Sequence, residues 1–291
     1  MSGSESQTSK QFSIPQEIID QFIDYLYDDR EALMTCALVC RAWVPSSRYH
    51  LFGHVSIWVS EYARFSDFIG HLDHPLCTFA PCVRKLFIST YLDEGCPAPP
   101  SLYLSPHWAD PLIPYLAKLT SVKTLVAYGI GERLSGWEPL FKSASFVTQI
   151  THLSLQYPEF TTFEDCMDTI HSFPSLESLE YCPCDSDQGT LPSLPASQAS
   201  PPPSLRTLDI MSFYPTTQLI WQWFHRSQTR LSTIKLGRRK SISLRDISID
   251  TAQFSTFTQY LQFLGPSLEV LQADFGAAPT ICGFPIDCTL E

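Results

Sequence analysis

One six-residue pattern, apolar-x-x-Leu/Ile-x-apolar, recurs seven times and constrains the fold of this chain more than any other feature. Its instances are Val83-Leu86-Ile88, Val122-Leu125-Ala127, Ile150-Leu153-Leu155, Leu176-Leu179-Tyr181, Leu205-Leu208-Ile210, Leu231-Ile234-Leu236 and Leu268-Leu271-Ala273. Successive starts lie 39, 28, 26, 29, 26 and 37 residues apart, and a weaker unit, Phe52-Val55-Ile57, precedes them by 31. Periods of this length, with one short apolar strand each, belong to units that bury their apolar faces only by stacking on one another.

Most units continue into apolar residues at helical spacing. Phe163, Met167 and Ile170 form one such stripe, and Leu219, Ile220, Trp223 and Phe224 a second. Phe254, Phe257, Leu261 and Leu264 form a third, stopped by Gly265-Pro266. Segments 60–72, 109–119 and 137–146 read similarly. Strands alternating with helices at this period predict an α/β fold, a curved leucine-rich-repeat-like solenoid with a parallel sheet inside and helices outside, over 53–275. Such surfaces generally bind other macromolecules.

The usual leucine-rich pattern carries Asn or Cys three residues after its third apolar position. Asparagine is absent from this chain, and those positions hold Ser60, Tyr91, Ile130, Pro158, Cys184, Phe213, Arg239 and Gly276. The backbone groups there must therefore find other partners.

Composition narrows the function. A chain of 291 residues, 44% hydrophobic and 17% charged, has ample material for a core. Its net charge of −11 argues against general nucleic-acid binding. It contains no long uncharged apolar run, so no membrane partner is expected. The opening MSGSESQTSK lacks the apolar centre of a secretory signal, and residues 1–12 are expected to be disordered. Ten cysteines with no such signal, and no glycosylation sequon, suggest reduced thiols in the cytoplasm or nucleus.

Residues 13–52 form a separate helical module. Ser13 and Gln16 have capping-box spacing, and Pro15 suits a first turn. Ile18, Ile19, Phe22, Ile23 and Leu26 then make one broad apolar stripe. Asp28 or Asp29 can cap a second helix carrying Leu33, Cys36, Ala37 and Leu38. A third is expected from about Val39 through Trp43 towards Leu51-Phe52. Pro45 falls inside it and would remove a backbone bond unless it occupies the first turn. Three short helices have too little shared core to stand alone, so a neighbour or partner should cover part of their apolar surface.

The run Ile14-Pro15-x-Glu17-Ile18-Ile19, then Tyr25-Leu26, Ala37-Leu38-Val39-Cys40-Arg41-x-Trp43 and Leu51-Phe52 resembles an F-box, of the kind found in the F-box-like proteins numerous in fungi. Ile14 stands where that family usually has Leu. The resemblance implies a non-catalytic substrate receptor that docks on a Skp-type adaptor and through it joins a cullin and a RING subunit in a ubiquitin ligase. It implies adaptor contacts at Pro15, Ile18, Ile19, Phe22, Leu33, Leu38, Val39, Cys40 and Trp43. One alternative is that these helices only cap the end of the solenoid; another is that the chain is a repeat scaffold without ligase assembly.

Alternation along each strand points the residues between the core positions to the opposite face. They include Lys85, Phe87, Thr124, Val126, Tyr128, His152, Ser154, Gln156, Ser178, Glu180, Thr207, Asp209, Thr233, Lys235, Gln272 and Asp274. Mixed polar and aromatic groups suit a protein client. Charge is segregated: Ser143 to Leu205 holds eight acids and no Lys or Arg, whereas Arg226 to Arg245 is wholly basic. The basic unit could grip an acidic or phosphorylated client segment, or simply attract its acidic neighbour. From these residues Phe87, Tyr128, His152, Gln156, Lys235, Arg238 and Arg239 are taken as client contacts. The inserts 93–106 and 183–204 read as loops, the second Pro/Ser-rich and mobile. The tail 276–291 could cover the last repeat.

No nucleophile elbow, phosphate-binding glycine loop, dinucleotide fingerprint or His-Glu-x-x-His occurs. His71, His74, Cys77 and Cys82 match no closed zinc spacing. No cofactor, metal or enzymatic activity is expected.

Overall fold

Each of the eight six-residue units becomes a five- or four-residue strand; in all but the last, which is exposed along its length, alternate apolar side chains turn to a common buried face. The computed structural model describes residues 14–90, 107–130, 134–158, 160–183, 199–211, 215–237 and 251–273. The strands are β1 (His54–Trp58), β2 (Lys85–Ser89), β3 (Thr124–Tyr128), β4 (His152–Gln156), β5 (Ser178–Cys182), β6 (Thr207–Ile210), β7 (Thr233–Leu236) and β8 (Val270–Ala273). They form one parallel sheet in chain order. The repeats align without slippage: Val55, Leu86, Leu125, Leu153, Leu179, Leu208, Ile234 and Leu271 are successive register partners. A one-residue slip anywhere would turn a whole apolar set outward.

Ten α-helices lie among the described residues. The first three, α1 (Gln16–Asp24), α2 (Arg30–Val39) and α3 (Val44–Leu51), precede the sheet. The others are α4 (Tyr62–Asp73), α5 (Ile113–Leu116), α6 (Leu134–Phe141), α7 (Ala144–Val147), α8 (Phe163–His171), α9 (Pro215–Arg226) and α10 (Thr251–Leu264). Residues of α4 to α10 share one buried cluster with the inward strand residues, so the helices cover a single sheet face. The leading apolar residues Val83, Val122, Ile150, Leu176, Leu205 and Leu231 lie within the same cluster. Helix α8 begins with a reciprocal cap, Thr162 Oγ1 accepting from the Asp165 amide while the Asp165 carboxylate accepts from the Thr162 amide.

The missing asparagines are replaced by main chain. At all seven junctions, the carbonyl of the residue leading into one strand accepts two successive amides from the next. Gly53 receives Arg84 and Lys85, Arg84 receives Lys123 and Thr124, and the series runs on to Ser232, which receives Glu269 and Val270. Past the strands, Thr90, Gly129 and Tyr157 donate their amides to Tyr128, Gln156 and Cys182. Ile130 and Pro158, which stand at two of the positions expected to hold Asn, can therefore be buried without a polar side chain.

Three local details depart from expectation. The third helix starts at Val44 and not near Val39, because α2 continues through Val39; Pro45 consequently sits in the first turn, where it removes no bond. Asp29 is the cap of α2, accepting from the Ala32 amide at 2.9 Å. No helix lies in 199–206 between β5 and β6. Instead Pro201 and Pro202 are buried, and the Ala199 carbonyl accepts from Trp223 Nε1 at 2.7 Å. The described end of the Pro/Ser-rich insert is thus packed, in correction of its reading as a mobile loop; residues 184–198 lie outside the described residues. So do residues 1–13, including Ser13, the whole of the insert 93–106, and the tail 276–291.

Helix α9 ends with Gln228 at φ 54°, and the Thr229 amide closes on the Phe224 carbonyl at 3.0 Å. That closing turn favours glycine, since other L-residues bear a left-handed penalty of about 1–2 kcal/mol. Gln228→Gly is expected to stabilise the protein by about 0.5–1 kcal/mol, less than the penalty because glycine gains freedom when unfolded. A urea titration followed by circular dichroism checks this; a lower midpoint would refute it.

Candidate functional site

Two surfaces carry exposed chemistry. The first lies on the helical module. Its interior is small: Ile19, Ile23 and Leu33 are buried together, with Leu26, Trp43 and Leu51 packed against them. A polar clasp joins α1 to α3, with Ser46 and Gln16 both donating to the Asp20 carboxylate and Gln16 also donating to the Ala42 carbonyl. Those hydrogen bonds, led by Ser46, hold the Asp20 carboxyl below its usual range. The module meets the sheet through α3: Phe52 packs on Phe79 at 5.2 Å, and Arg48 donates to Thr78.

The broad stripe of α1 divides in two. Ile19, Ile23 and Leu26 turn inward, whereas Ile14, Ile18, Phe22 and Tyr25, spaced four, four and three apart, turn outward. Of the predicted adaptor contacts, Pro15, Ile18, Phe22, Leu38, Val39 and Cys40 are exposed, and Trp43 is half-buried against Phe22 at 5.7 Å. Ile19 and Leu33, 8% and 2% exposed, are corrections: they are spent in the module's own core and have no surface for a partner. Ile14, Tyr25 and Met34 join the exposed set unpredicted. Among the described residues, nine of the thirteen exposed large apolar side chains fall between Ile14 and Tyr49, so the set is concentrated on the helical module. Leu38, 87% exposed, stands furthest out of this set.

The second surface is the sheet face opposite the helices. Sheet register sets Phe87 between Ser56 and Val126, and Tyr128 between Ser89 and Gln156. Rings pair diagonally across strands: Trp58 with Phe87 at 5.3 Å, Phe87 with Tyr128 at 6.0 Å, and Tyr128 with Tyr157 at 5.2 Å. Two of these four, Trp58 and Tyr157, were not foreseen as contacts. Tyr157 adopts φ 51°, a conformation that a bulky residue rarely takes, in the place that Gly129 fills on the preceding repeat. Aromatic spacing at strand ends was the signal for Trp58; nothing local announces Tyr157.

Towards β7 the same face becomes charged. Glu180, Asp209 and Lys235 are consecutive register partners. His152 is exposed, its Nδ1 2.8 Å from Thr151 Oγ1, and Gln156 donates to Ser154 Oγ at 3.1 Å. Arg238 and Arg239 lie outside the described residues, so of the predicted client contacts the structure places Phe87, Tyr128, His152, Gln156 and Lys235 on one face.

Burial lifts the Asp209 carboxyl above the usual range, Glu180 lifts it further, and Lys235 partly opposes them. A carboxyl with a raised folded-state pKa binds its proton more tightly when folded. Its contribution to stability is therefore greatest in acid and falls as pH rises from the unfolded towards the folded value. Asp209→Asn is expected to raise the urea midpoint at pH 7, with the gain closing as pH falls below the usual carboxylate range. An equal gain at pH 3 would show that charge is not the cause.

Among the described residues, no group of three or more His, Cys, Asp or Glu could hold a metal ion. His74 Nδ1 accepts from the Leu76 amide at 3.1 Å, and the Cys82 thiol, raised chiefly by burial, lies 4.0 Å from the Thr78 carbonyl. No helix among them is long and apolar enough to cross a membrane. The chain matches no protein-family model and no curated protein sequence.

Proposed function

We propose that the chain is a substrate-recognition subunit of a cullin-type ubiquitin ligase. Its helical module would act as an F-box, docking on a Skp-type adaptor. The sheet and helices downstream would act as an irregular leucine-rich-repeat solenoid that holds a client protein on the face bearing Trp58, Phe87, Tyr128 and Tyr157. One observation carries the reading: an apolar ridge of Ile14, Ile18, Phe22, Leu38 and Val39 stands outside a module core that is already complete without it. Surface of that kind is costly to leave in water and suits an apolar interface centre. Capping the end of a sheet would instead need the apolar side turned towards the sheet.

The mechanism is tethering. Holding a client beside a transfer machine raises the local concentration of its lysines, while the bond-making chemistry belongs to the other subunits. Co-purification of the full chain with the adaptor and a cullin tests the proposal. Recovery of both supports a receptor, adaptor without cullin marks a scaffold, and recovery of neither overturns the assignment.

A further inference from the structure

Three cations of this acidic chain converge on one cleft. A cleft of about 610 Å³ opens where the helical module meets the leading ends of β1, β2 and β3, a size typical of ligand sites. Three permanent cations, Arg84, Lys85 and Lys123, line it with His50 and His54, and no Asp or Glu is among its lining residues. Thr120 and Ser121 add hydroxyls, and Tyr27 closes the module side. In a protein of net charge −11 such a grouping runs against the average field.

Backbone geometry explains the gathering. Arg84 and Lys123 are the lead-in residues of adjacent strands, joined by the bonds from the Lys123 and Thr124 amides to the Arg84 carbonyl. His54, Lys85 and Thr124 are register partners one step further in. None of Arg84, Lys85 and Lys123 forms an ion pair among the described residues. Asp24, beside the lining residue His50, is engaged by it at 2.7 Å. His54 titrates below its usual value, through burial first and then the charge of Lys85.

Arg84 is held rigidly. Its guanidinium stacks 3.7 Å from the Tyr49 ring centroid and donates to the Tyr49 hydroxyl at 2.6 Å and carbonyl at 3.4 Å. A side chain at position 53 would collide with it, a Cβ there lying 2.6 Å from Nη2, so Gly53 makes room for the group. Its Nε–H is buried with no hydrogen-bond partner. An arginine cannot shed its charge, so the guanidinium remains a fixed cation at the cleft wall.

We propose that this cleft binds a phosphate ester, with Lys85 and Lys123 as the charge-bearing contacts and Arg84 as a fixed wall. A single carboxylate offers one charge and two oxygens; a phosphate monoester offers close to two charges and three acceptors, which matches the surplus of donors. The site lies apart from the adaptor ridge, at the leading end of the sheet face that carries the aromatic rings, and the proposal does not depend on ligase assembly. A phosphorylated client segment and a free phosphate compound present the same chemistry, and two probes separate them.

The experiment uses the full chain without adaptor. Fluorescence anisotropy follows a labelled peptide pool with a fixed central phosphoserine, its unphosphorylated twin, and a short single-stranded oligonucleotide; calorimetry follows inorganic pyrophosphate. Lys85→Glu with Lys123→Glu changes two exposed side chains and should leave circular dichroism unaltered. Arg64→Glu with Lys142→Glu makes the same change in net charge at two exposed positions outside the cleft. The expected result is binding of the phosphopeptide pool, pyrophosphate or both, weakened by about tenfold or more in the first variant and unchanged in the second. Pool binding alone identifies a phosphorylated segment as the source, and pyrophosphate binding alone a small phosphate compound. The proposal is overturned by binding of neither, by equal losses in both variants, or by the unphosphorylated twin or the oligonucleotide binding as tightly as the phosphorylated pool.

Discussion

Pro15→Ala combined with Ile18→Ala is expected to weaken adaptor binding by about a hundredfold, enough to remove it from a pull-down, while leaving the fold intact. Ile18 is 54% exposed and Pro15 lies outside the module core, so their truncation removes almost no internal packing. Pro15 caps α1 with no side-chain bond, and its carbonyl, which accepts from the Ile18 and Ile19 amides, is retained in alanine. Stability should therefore change by less than about 1 kcal/mol. The large loss comes from the other partner: apolar anchors at the centre of an interface carry most of its binding energy. Retained pull-down with unchanged circular dichroism would refute the docking assignment. Loss of both signals would mean that the ridge was structural.

Trp221→Ala is the substitution expected to cost most in stability, about 3–5 kcal/mol. The indole is 1% exposed between α9 and α10, with Phe257 at 4.9 Å and Tyr260 at 5.8 Å. Tyr260 is itself tied down, donating to the Thr229 carbonyl at 2.8 Å, and burial pushes its phenol far above the usual range. Removing the ring leaves a cavity that α10 cannot close without breaking that bond. A fall in melting temperature of about 10 °C is expected by calorimetry. A shift of a degree or two would show that α9 and α10 contribute little to the cooperative core.

The strands were almost wholly legible. All eight units yielded strands on the positions their apolar spacing marked. In β1 to β7 a period of two with one buried face tolerates no other register, whereas β8 is exposed along its length and takes its register from pairing with β7. The first three helices were legible in number but not in boundary. Nothing in 39–44 distinguishes a continuing α2 from a starting α3 until tertiary packing decides, and the extended Cys40 then separates them. The stripe of α1 was visible as a stripe only. Five apolar residues spread over more than half a helix circumference can face a core in two ways, and that ambiguity left Ile19 on a surface it does not reach; Leu33, on α2, was carried there by the resemblance and is buried in the same small core. The asparagine question was correctly posed by the sequence, but its answer, amides shared at lead-in carbonyls, is a property of stacked backbones.

Local order in this chain, then, follows from spacing alone: which segments pair, in what succession and with which side inward, because each unit repeats the same demand to hide alternate side chains. Proximity between distant residues does not. That Trp58 meets Phe87 and Tyr157 meets Tyr128, and that Tyr27, His54, Arg84, Lys85 and Lys123 share one cleft, depends on stacking units of unequal length. Spacing within a unit says nothing about the insert between two units, whereas the sheet restores a common 4.8 Å step whatever that insert contains. Residues far apart in the chain are thereby brought to adjacent rungs, and there the aromatic face and the basic cleft arise.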